Sequence, residues 1–237
     1  MMFRRATARA SAKEQNPITA AFVAGGVVVI FGASTALSVD VEESCARLGV
    51  HILALVQNRD GKAFALDTTR LRHLRDLGPD AVGAAFICPL FTPANRKIGV
   101  KEALAFGFVP APALVDPTVI AARSTTIGEG SFVNAGCLLA AAGTIGRFVV
   151  INRGANIGHH ANIVDYASIG PGVVMAGEIT IGPGAMLGTG AVIGPGVCIG
   201  EGSAIAPGAV ITRDVLPHHL AAGNPMRLQP RRKIGTA

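Results

Sequence analysis

The stretch "TIGPGAMLGTGAVIGPGVCIG", residues 180–200, carries a large aliphatic residue at every sixth position. Stepping by six in both directions, the pattern runs unbroken from Ile127 to Ile211 over fifteen positions, all of them Ile, Leu, Val or Met. The residue two places before each is small or β-branched, and Gly often follows it. This repeat dominates the second half of the chain and determines its fold.

A period of six fits neither an α-helix nor a simple alternating strand, but it fits a solenoid of short strands joined by tight bends. The large residue points inward, the small one fills the space beside it, and Gly relieves the bend. The array resembles the hexapeptide-repeat proteins. That resemblance implies a left-handed parallel β-helix of eighteen-residue coils, although the general rule for parallel crossovers favours the opposite hand. Fifteen hexads predict five coils, and Val115 and Ala121 leave a sixth open.

The residues before the repeat alternate between strand-like and helix-like segments. Periodicity predicts strands over 27–31, 50–57 and 81–89, and helices over 36–48, 68–78 and 93–107. The alternation predicts an α/β domain with a small, Rossmann-like parallel sheet and a ligand crevice beyond the strand ends. The basic start and the apolar run 18–37 also have the look of a signal peptide. We favour a solvated tail and a buried first strand, and expect no stable membrane insertion because glycines and hydroxyl side chains interrupt the run.

The positive charge is concentrated at the two ends of the chain. The formal charge is +6, of which residues 1–16 contribute +3 and residues 217–237 contribute +4, so the body carries −1. Basic ends around a neutral body without interleaved aromatic residues argue against a nucleic-acid partner. The four cysteines are widely separated and form no C-x-x-C pair, which indicates reduced thiols and a cytoplasmic protein.

Taken together, these features resemble the NeuD/PglD-like sugar acetyltransferases. The most specific motif is an Asn, an Ala three residues on and a His four beyond that, here Asn152, Ala155 and His159. The closing G-N-P-A-R loop of that family appears as "AGNPMR", residues 222–227, with one change. The resemblance implies a homotrimer, acetyl-CoA as co-substrate, and a nucleotide sugar as the small-molecule substrate.

By this resemblance His159 would be the general base that takes a proton from the acceptor as it attacks the acetyl-CoA thioester, a task suited to an imidazole. One coil is eighteen residues, so Gly177 stacks on His159, and its N–H could donate to the thioester oxygen. Asn152 either orients the site or forms a ladder with Asn134 one coil below. His160 departs from the family, which has a carboxylate there, and Glu178 one coil away is an indirect substitute.

A zinc site is the alternative interpretation of the two histidines, because some hexapeptide-repeat enzymes bind zinc through three histidines. Within the array only His159 and His160 are available, and Val164 stands where a further ligand is required. We therefore expect no metal. A solvated corner histidine is the remaining, non-catalytic interpretation of His159.

The resemblance also assigns ligand-binding residues. Those expected to contact CoA are Ser168, Gly177, Thr189, Pro207, Asn224 and Arg227. Ser168 replaces a His common in the family, and a solvated basic tail is an equal explanation of the C-terminal arginines. Those expected to contact the nucleotide sugar are Gly32, Ala33, Ser34, Gln57 and Asn58. The last two replace an acidic pair, which suggests an altered base or sugar.

The sequence therefore predicts a cytoplasmic trimeric enzyme that acetylates the amino group of a nucleotide-linked amino sugar within a ternary complex. A sugar O-acetyltransferase and a catalytically silent trimer are the alternatives. We expect a basic tail over 1–20, a substrate domain over 21–112, a β-helix over 113–215 and a short tail over 216–237.

Overall fold

The computed structural model describes residue 22 and residues 25–231. The predicted basic tail, residues 1–20, lies outside them. The first unit is an α/β domain with a five-stranded parallel sheet in the order β3-β2-β1-β4-β5. Its elements are β1 Val27–Phe31, α1 Leu37–Leu48, β2 His51–Gln57, β3 Leu71–His73, β4 Ala85–Ile87, α2 Pro93–Phe106 and β5 Val109–Pro110. The helices predicted over 36–48 and 93–107 are therefore confirmed.

The side chains of β1 alternate between two cores because successive residues of a strand face opposite sides of a sheet. Val28 and Ile30 pack with α1 and with residues of the second unit. Val29 and Phe31 pack with α2. Both faces of the strand are thus buried, which explains its unbroken run of apolar residues.

The helix predicted over 68–78 is wrong. Two 3-10 turns, Thr68–Arg70 and Leu74–Asp76, flank the short strand β3, which pairs with β2 through Leu55 and Leu71. Pairing with β3 satisfies the hydrogen-bonding N–H and C=O groups along that edge of β2. Leu74 and Leu77 are three residues apart, a spacing that matches both an α-helix and this turn, and they pack on the sheet from the turn.

The second unit is the left-handed parallel β-helix, with three walls of stacked two-residue strands. The first wall contains β6 Leu114–Val115, β9 Phe132–Val133, β12 Val150–Ile151, β15 Ser168–Ile169, β18 Met186–Leu187 and β21 Ala204–Ile205. The second contains β7 Ile120–Ala121, β10 Leu138–Leu139, β13 Asn156–Ile157, β16 Val174–Met175, β19 Val192–Ile193 and β22 Val210–Ile211. The third contains β8 Thr126–Ile127, β11 Thr144–Ile145, β14 Asn162–Ile163, β17 Thr180–Ile181 and β20 Cys198–Ile199.

The register between coils is eighteen residues, as the repeat predicts: Val150 pairs with Ser168, and Ile151 with Ile169. The aliphatic positions of the hexads form one continuous core. Val115 and Ala121 belong to β6 and β7, so the earlier coil that the sequence left open is present. Where coils approach closely only glycine fits: a Cβ on Gly182 would lie 2.6 Å from the backbone nitrogen of Glu201.

The predicted short tail over 216–237 is structured as far as it is described. β23 His219–Ala222 pairs in parallel with β21, and β24 Arg227–Pro230 pairs antiparallel with β23. The hairpin therefore extends the first wall beyond its last coil. In the described part of the chain, no helix combines the length and the apolar character needed to cross a membrane.

The three walls present different outer faces. The first is covered by the α/β domain, with Phe132, Val150 and Ser168 buried. The third is lined outside by the polar side chains of Thr126, Thr144, Asn162 and Thr180. The second exposes large apolar side chains on four of its coils, namely Ile120, Leu138, Val174 and Val192, with the polar Asn156 between Leu138 and Val174. A strip of exposed apolar side chains of this kind indicates an interaction surface.

Arg96 of α2 joins the two units. It is fully buried, and its guanidinium donates hydrogen bonds of 2.6–3.1 Å to the carbonyls of Leu90, Phe91, Phe148, Tyr166 and Ala167 and to the hydroxyl of Ser168. Burial lowers the pKa of Arg96 to about 10, which still leaves it charged at neutral pH. Carbonyls from both units converge on this one cation.

We predict that Arg96→Met destabilises the protein by about 3 kcal/mol or more, because it leaves buried carbonyls without donors. Lys97→Met, one residue along the same helix at an exposed position, is the matched control and should change stability by less than about 0.5 kcal/mol. Urea unfolding followed by circular dichroism measures both. Equal urea unfolding midpoints for the two variants would contradict the role of Arg96 as the cation that joins the two units.

Candidate active site

His159 lies at the edge between the second and third walls, in the bend that joins β13 to β14. Ile157 points into the core, and Gly158 then passes so close to the next coil that a Cβ on it would overlap the carbonyl of Ala176. This close passage fixes where the exposed side chain of His159 leaves the backbone.

The imidazole of His159 packs directly against Gly177, as the eighteen-residue register predicts. A Cβ built on Gly177 would lie 2.5 Å from Nε2 of His159, so the ring occupies space that only glycine leaves free. In the described residues, the N–H of Gly177 takes part in no hydrogen bond. The edge therefore presents an imidazole nitrogen and an unused backbone donor side by side.

His160 contacts the other side of the same ring. Its Nδ1 lies 3.0 Å from Nδ1 of His159, with the two ring planes at 85°. Glu178, the indirect substitute suggested by the register, bonds through its backbone N–H to the carbonyl of His159. Its carboxylate forms no ion pair with either histidine among the described residues.

Asn152 lies at a different edge, between the first and second walls. Its side-chain oxygen accepts from the amide of Asn134 at 3.0 Å and from the backbone N–H of Arg153 at 2.8 Å. The amide of Asn134 also donates to Asp40 of α1 at 3.0 Å. Of the two roles predicted for Asn152, the structure thus shows the ladder, and no hydrogen bond joins it to His159 within the described chain.

Thr189 and Pro207 are exposed at the same edge as Asn152, on higher coils. The structure therefore divides the predicted site between two edges, and the apolar second wall lies between them. Asn224 is exposed in the loop between β23 and β24, Arg227 is exposed at the start of β24, and both line a cavity of about 450 Å³.

The prediction that Ser168 contacts CoA is contradicted. Ser168 is fully buried under the α/β domain, where its hydroxyl donates to the carbonyl of Phe91 at 2.6 Å and accepts from Arg96 at 2.9 Å. The small hydroxyl side chain fits the domain interface, and no surface remains there for a ligand. The substitution of a common His at this position reflects packing.

The predicted contacts of Gly32 and Ala33 with a substrate are likewise not supported. Both N–H groups bond to the carbonyl of Val56, at 2.9 and 3.0 Å, and both residues are buried. Gly32 adopts a φ of +98° against the side chain of Leu90, so its glycine is required by the turn itself. Ser34 is half-buried and alone of the three reaches the surface.

Gln57 and Asn58, at the end of β2, line a cavity of about 540 Å³. Gln57 donates to the carbonyl of Gly61 at 2.9 Å, and Asn58 donates to Glu102 of α2 at 2.7 Å. The sequence did not single out the other residues around this cavity. They include Arg59 from the loop after β2, His73 and Arg75 from the segment predicted as a helix, and Phe106 from the far end of α2.

In the described residues, no three His, Cys, Asp or Glu side chains converge as a metal site would require. The four cysteines are free, and three of them are buried. Burial raises the pKa of the Cys45 and Cys88 thiols to about 12, which makes both unreactive near neutral pH.

Comparison with known proteins supports this architecture. The family described as bacterial transferase hexapeptide (six repeats) matches residues 178–213. A variant of perosamine N-acetyltransferase from Caulobacter crescentus, in complex with CoA and GDP-perosamine, is similar with a TM-score of 0.77 and 27% identity, over 86% of this chain and 97% of that one. The acetyltransferase domain of PglB from Neisseria gonorrhoeae, in complex with acetyl coenzyme A, is similar with a TM-score of 0.74 and 26% identity, over 87% and 100%.

These matches span both the α/β domain and the β-helix. Over both units the chain is similar to sugar acetyltransferases of the hexapeptide-repeat type. WeeI from Acinetobacter baumannii shares the fold, with a TM-score of 0.71 and 23% identity over 86% and 99% of the two chains. No curated protein sequence matches this chain significantly.

We predict that Gly177→Ala displaces the imidazole of His159, because the added methyl group would occupy the space of the ring. The ring resonances of His159 in a histidine-labelled sample should shift, whereas Gly78→Ala, where a Cβ meets no atom within 4 Å, should leave them in place. Unchanged resonances in both variants would show that the ring does not pack on Gly177.

Proposed function

We propose that this protein transfers the acetyl group of acetyl-CoA to the amino group of a nucleotide-linked amino sugar. The observation that carries the proposal is the imidazole of His159 packed on Gly177, whose N–H is unused. The similar structures that contain CoA, acetyl coenzyme A or GDP-perosamine support the choice of substrates.

In the proposed reaction, the acceptor amine attacks the thioester carbonyl of acetyl-CoA, and Nε2 of His159 takes the proton that the amine loses. The N–H of Gly177 donates to the carbonyl oxygen as negative charge develops on it. The carbon–sulfur bond then breaks, the CoA thiolate accepts a proton from the His159 imidazolium, and the amide product leaves. The imidazole returns to its neutral state, so no further reactant is needed.

We also infer that three copies of the chain assemble around the second wall. Its exposed Ile120, Leu138, Val174 and Val192 supply an apolar strip that Asn156 interrupts between Leu138 and Val174. In a closed threefold arrangement around this wall, the edge with His159 in one copy lies beside the edge with Thr189 and Pro207 in the next. The two halves of the predicted site would meet at that seam.

We propose the 540 Å³ cavity at the end of β2 as the nucleotide-binding part of the α/β domain, since ligands of open parallel sheets bind beyond the carboxyl ends of the strands. Its volume falls in the range of small-molecule sites. Arg75 at its rim is available to pair with phosphate oxygens, whereas the guanidinium of Arg59 is paired with Glu102. Free cysteines fit the reducing cytoplasm, where we place the reaction.

Thiol release from acetyl-CoA in the presence of nucleotide-linked amino sugars tests the function. We expect His159→Ala to lower kcat by roughly 10²- to 10⁴-fold, the usual contribution of a general base. His51→Ala, an exposed histidine at the start of β2, is the control and should retain full turnover. Acetylation of hydroxyl but not amino sugars would favour an O-acetyltransferase, and no thiol release with any sugar would favour the silent trimer.

Sedimentation tests the assembly. The wild-type chain should sediment at three times its mass of 24.1 kDa, and Leu138→Glu should sediment as a monomer because a charge in an apolar interface lacks a partner. Thr144→Glu, at the equivalent outward position of the polar third wall, should remain trimeric. A monomeric wild type, or a trimeric Leu138→Glu, would contradict the assembly through the second wall.

A further inference from the structure

The two histidines of the candidate site contact each other through the same ring nitrogen, Nδ1, of each residue. Nδ1 of His159 lies 3.0 Å from Nδ1 of His160, and the rings meet edge to face with centroids 5.2 Å apart. A hydrogen bond between two imidazole nitrogens requires a proton on one and a lone pair on the other. The contact therefore restricts which tautomers the two rings can adopt.

Among the described residues, the side chain that hydrogen-bonds to the His159 ring is the imidazole of His160. Among the described residues, no carboxylate oxygen lies within 4.0 Å of a ring nitrogen of either histidine. The coil above contributes only the backbone N–H of Glu178, which donates to the carbonyl of His159 at 2.8 Å. No fixed negative charge of this chain is in contact with the pair.

The proposed reaction decides which way the pair is polarised. It needs a free lone pair on Nε2 of His159, the ring nitrogen that does not contact His160. A neutral imidazole with its lone pair on Nε2 carries its proton on Nδ1. His159 must then donate from Nδ1 to Nδ1 of His160, and His160 must carry its own proton on Nε2.

We propose that His160 is a positioning residue that holds His159 in the Nδ1–H tautomer and thereby presents the lone pair of Nε2 to the acceptor. This inference rests on the proposed function. It also narrows the acceptor to an amine, because a neutral imidazole stabilises the imidazolium less than a carboxylate does. An amine attacks with its own lone pair and gives up its proton readily once attached, whereas a hydroxyl must be deprotonated as it attacks.

The test distinguishes the effect of removing the His160 imidazole from the effect of changing the backbone at that position. His160 has a φ of +55°, a left-handed conformation that Gly and Asn adopt more easily than other residues. His160→Gly therefore removes the imidazole without straining the bend, and His160→Asn offers an amide oxygen as acceptor. Ala142→Gly, at a φ of +59° in the equivalent bend one coil below, is the matched control for the backbone.

Ring-nitrogen NMR of the full chain labelled with ¹⁵N-histidine measures the tautomer directly. We expect the Nδ1–H tautomer of His159 in the wild type, in His160→Asn and in Ala142→Gly, and a mixture of tautomers in His160→Gly. A wild-type His159 that carries its proton on Nε2, or a tautomer unaffected by His160→Gly, would overturn the proposal. This readout needs no turnover, so it decides the pairing even if the proposed function fails.

Kinetics with acetyl-CoA and an amino sugar provide the second readout. His160→Gly should lower kcat about tenfold and leave KM within about twofold, because a general base contributes roughly 10²- to 10⁴-fold and the variant loses only its orientation. His160→Asn should recover most of the loss, and Ala142→Gly should retain wild-type kcat. Full activity of His160→Gly, or a His160→Asn variant as slow as His160→Gly, would overturn the positioning role.

Discussion

The pairing of each strand residue with the residue eighteen places along is the constraint on which the rest of this structure depends. It stacks Ile151 on Ile169 and forms a core from a single repeated position. Because the strands are only two residues long, no strand is stable alone, and each coil is held by its neighbours. The same register places Gly177 on His159, so the core and the candidate site follow from one geometric rule.

The three walls of the β-helix then have separate roles. The first is covered by the α/β domain and fixed by Arg96, the second is apolar and exposed, and the third is polar. His159 lies at one border of the second wall, and Asn152 lies at the other. A single chain therefore carries two half-sites that a neighbouring copy would complete, which links the proposed assembly to the proposed chemistry.

The sequence was most informative where an environment repeats and least informative where one segment meets another. Five hexad coils could be counted from aliphatic spacing alone, but Ser168 could not be recognised as an interface residue, because its partners Phe91 and Arg96 are more than seventy residues away. Leu74 and Leu77 suggested a helix because a spacing of three suits both an α-helix and the 3-10 turn that borders β3. The turn at Gly32 resembled a substrate loop, yet its N–H groups serve the backbone.

The sequence by itself determined the β-helix, its register, the α/β character of the first unit and the stacking of His159 on Gly177, because these follow from local periodicity and from a fixed coil length. Only the tertiary structure decided which wall is covered, that Asn152 pairs with Asn134, and that His160 turns its Nδ1 towards His159. These depend on contacts between distant residues and on side-chain orientation, neither of which is encoded in the spacing of residues along the chain.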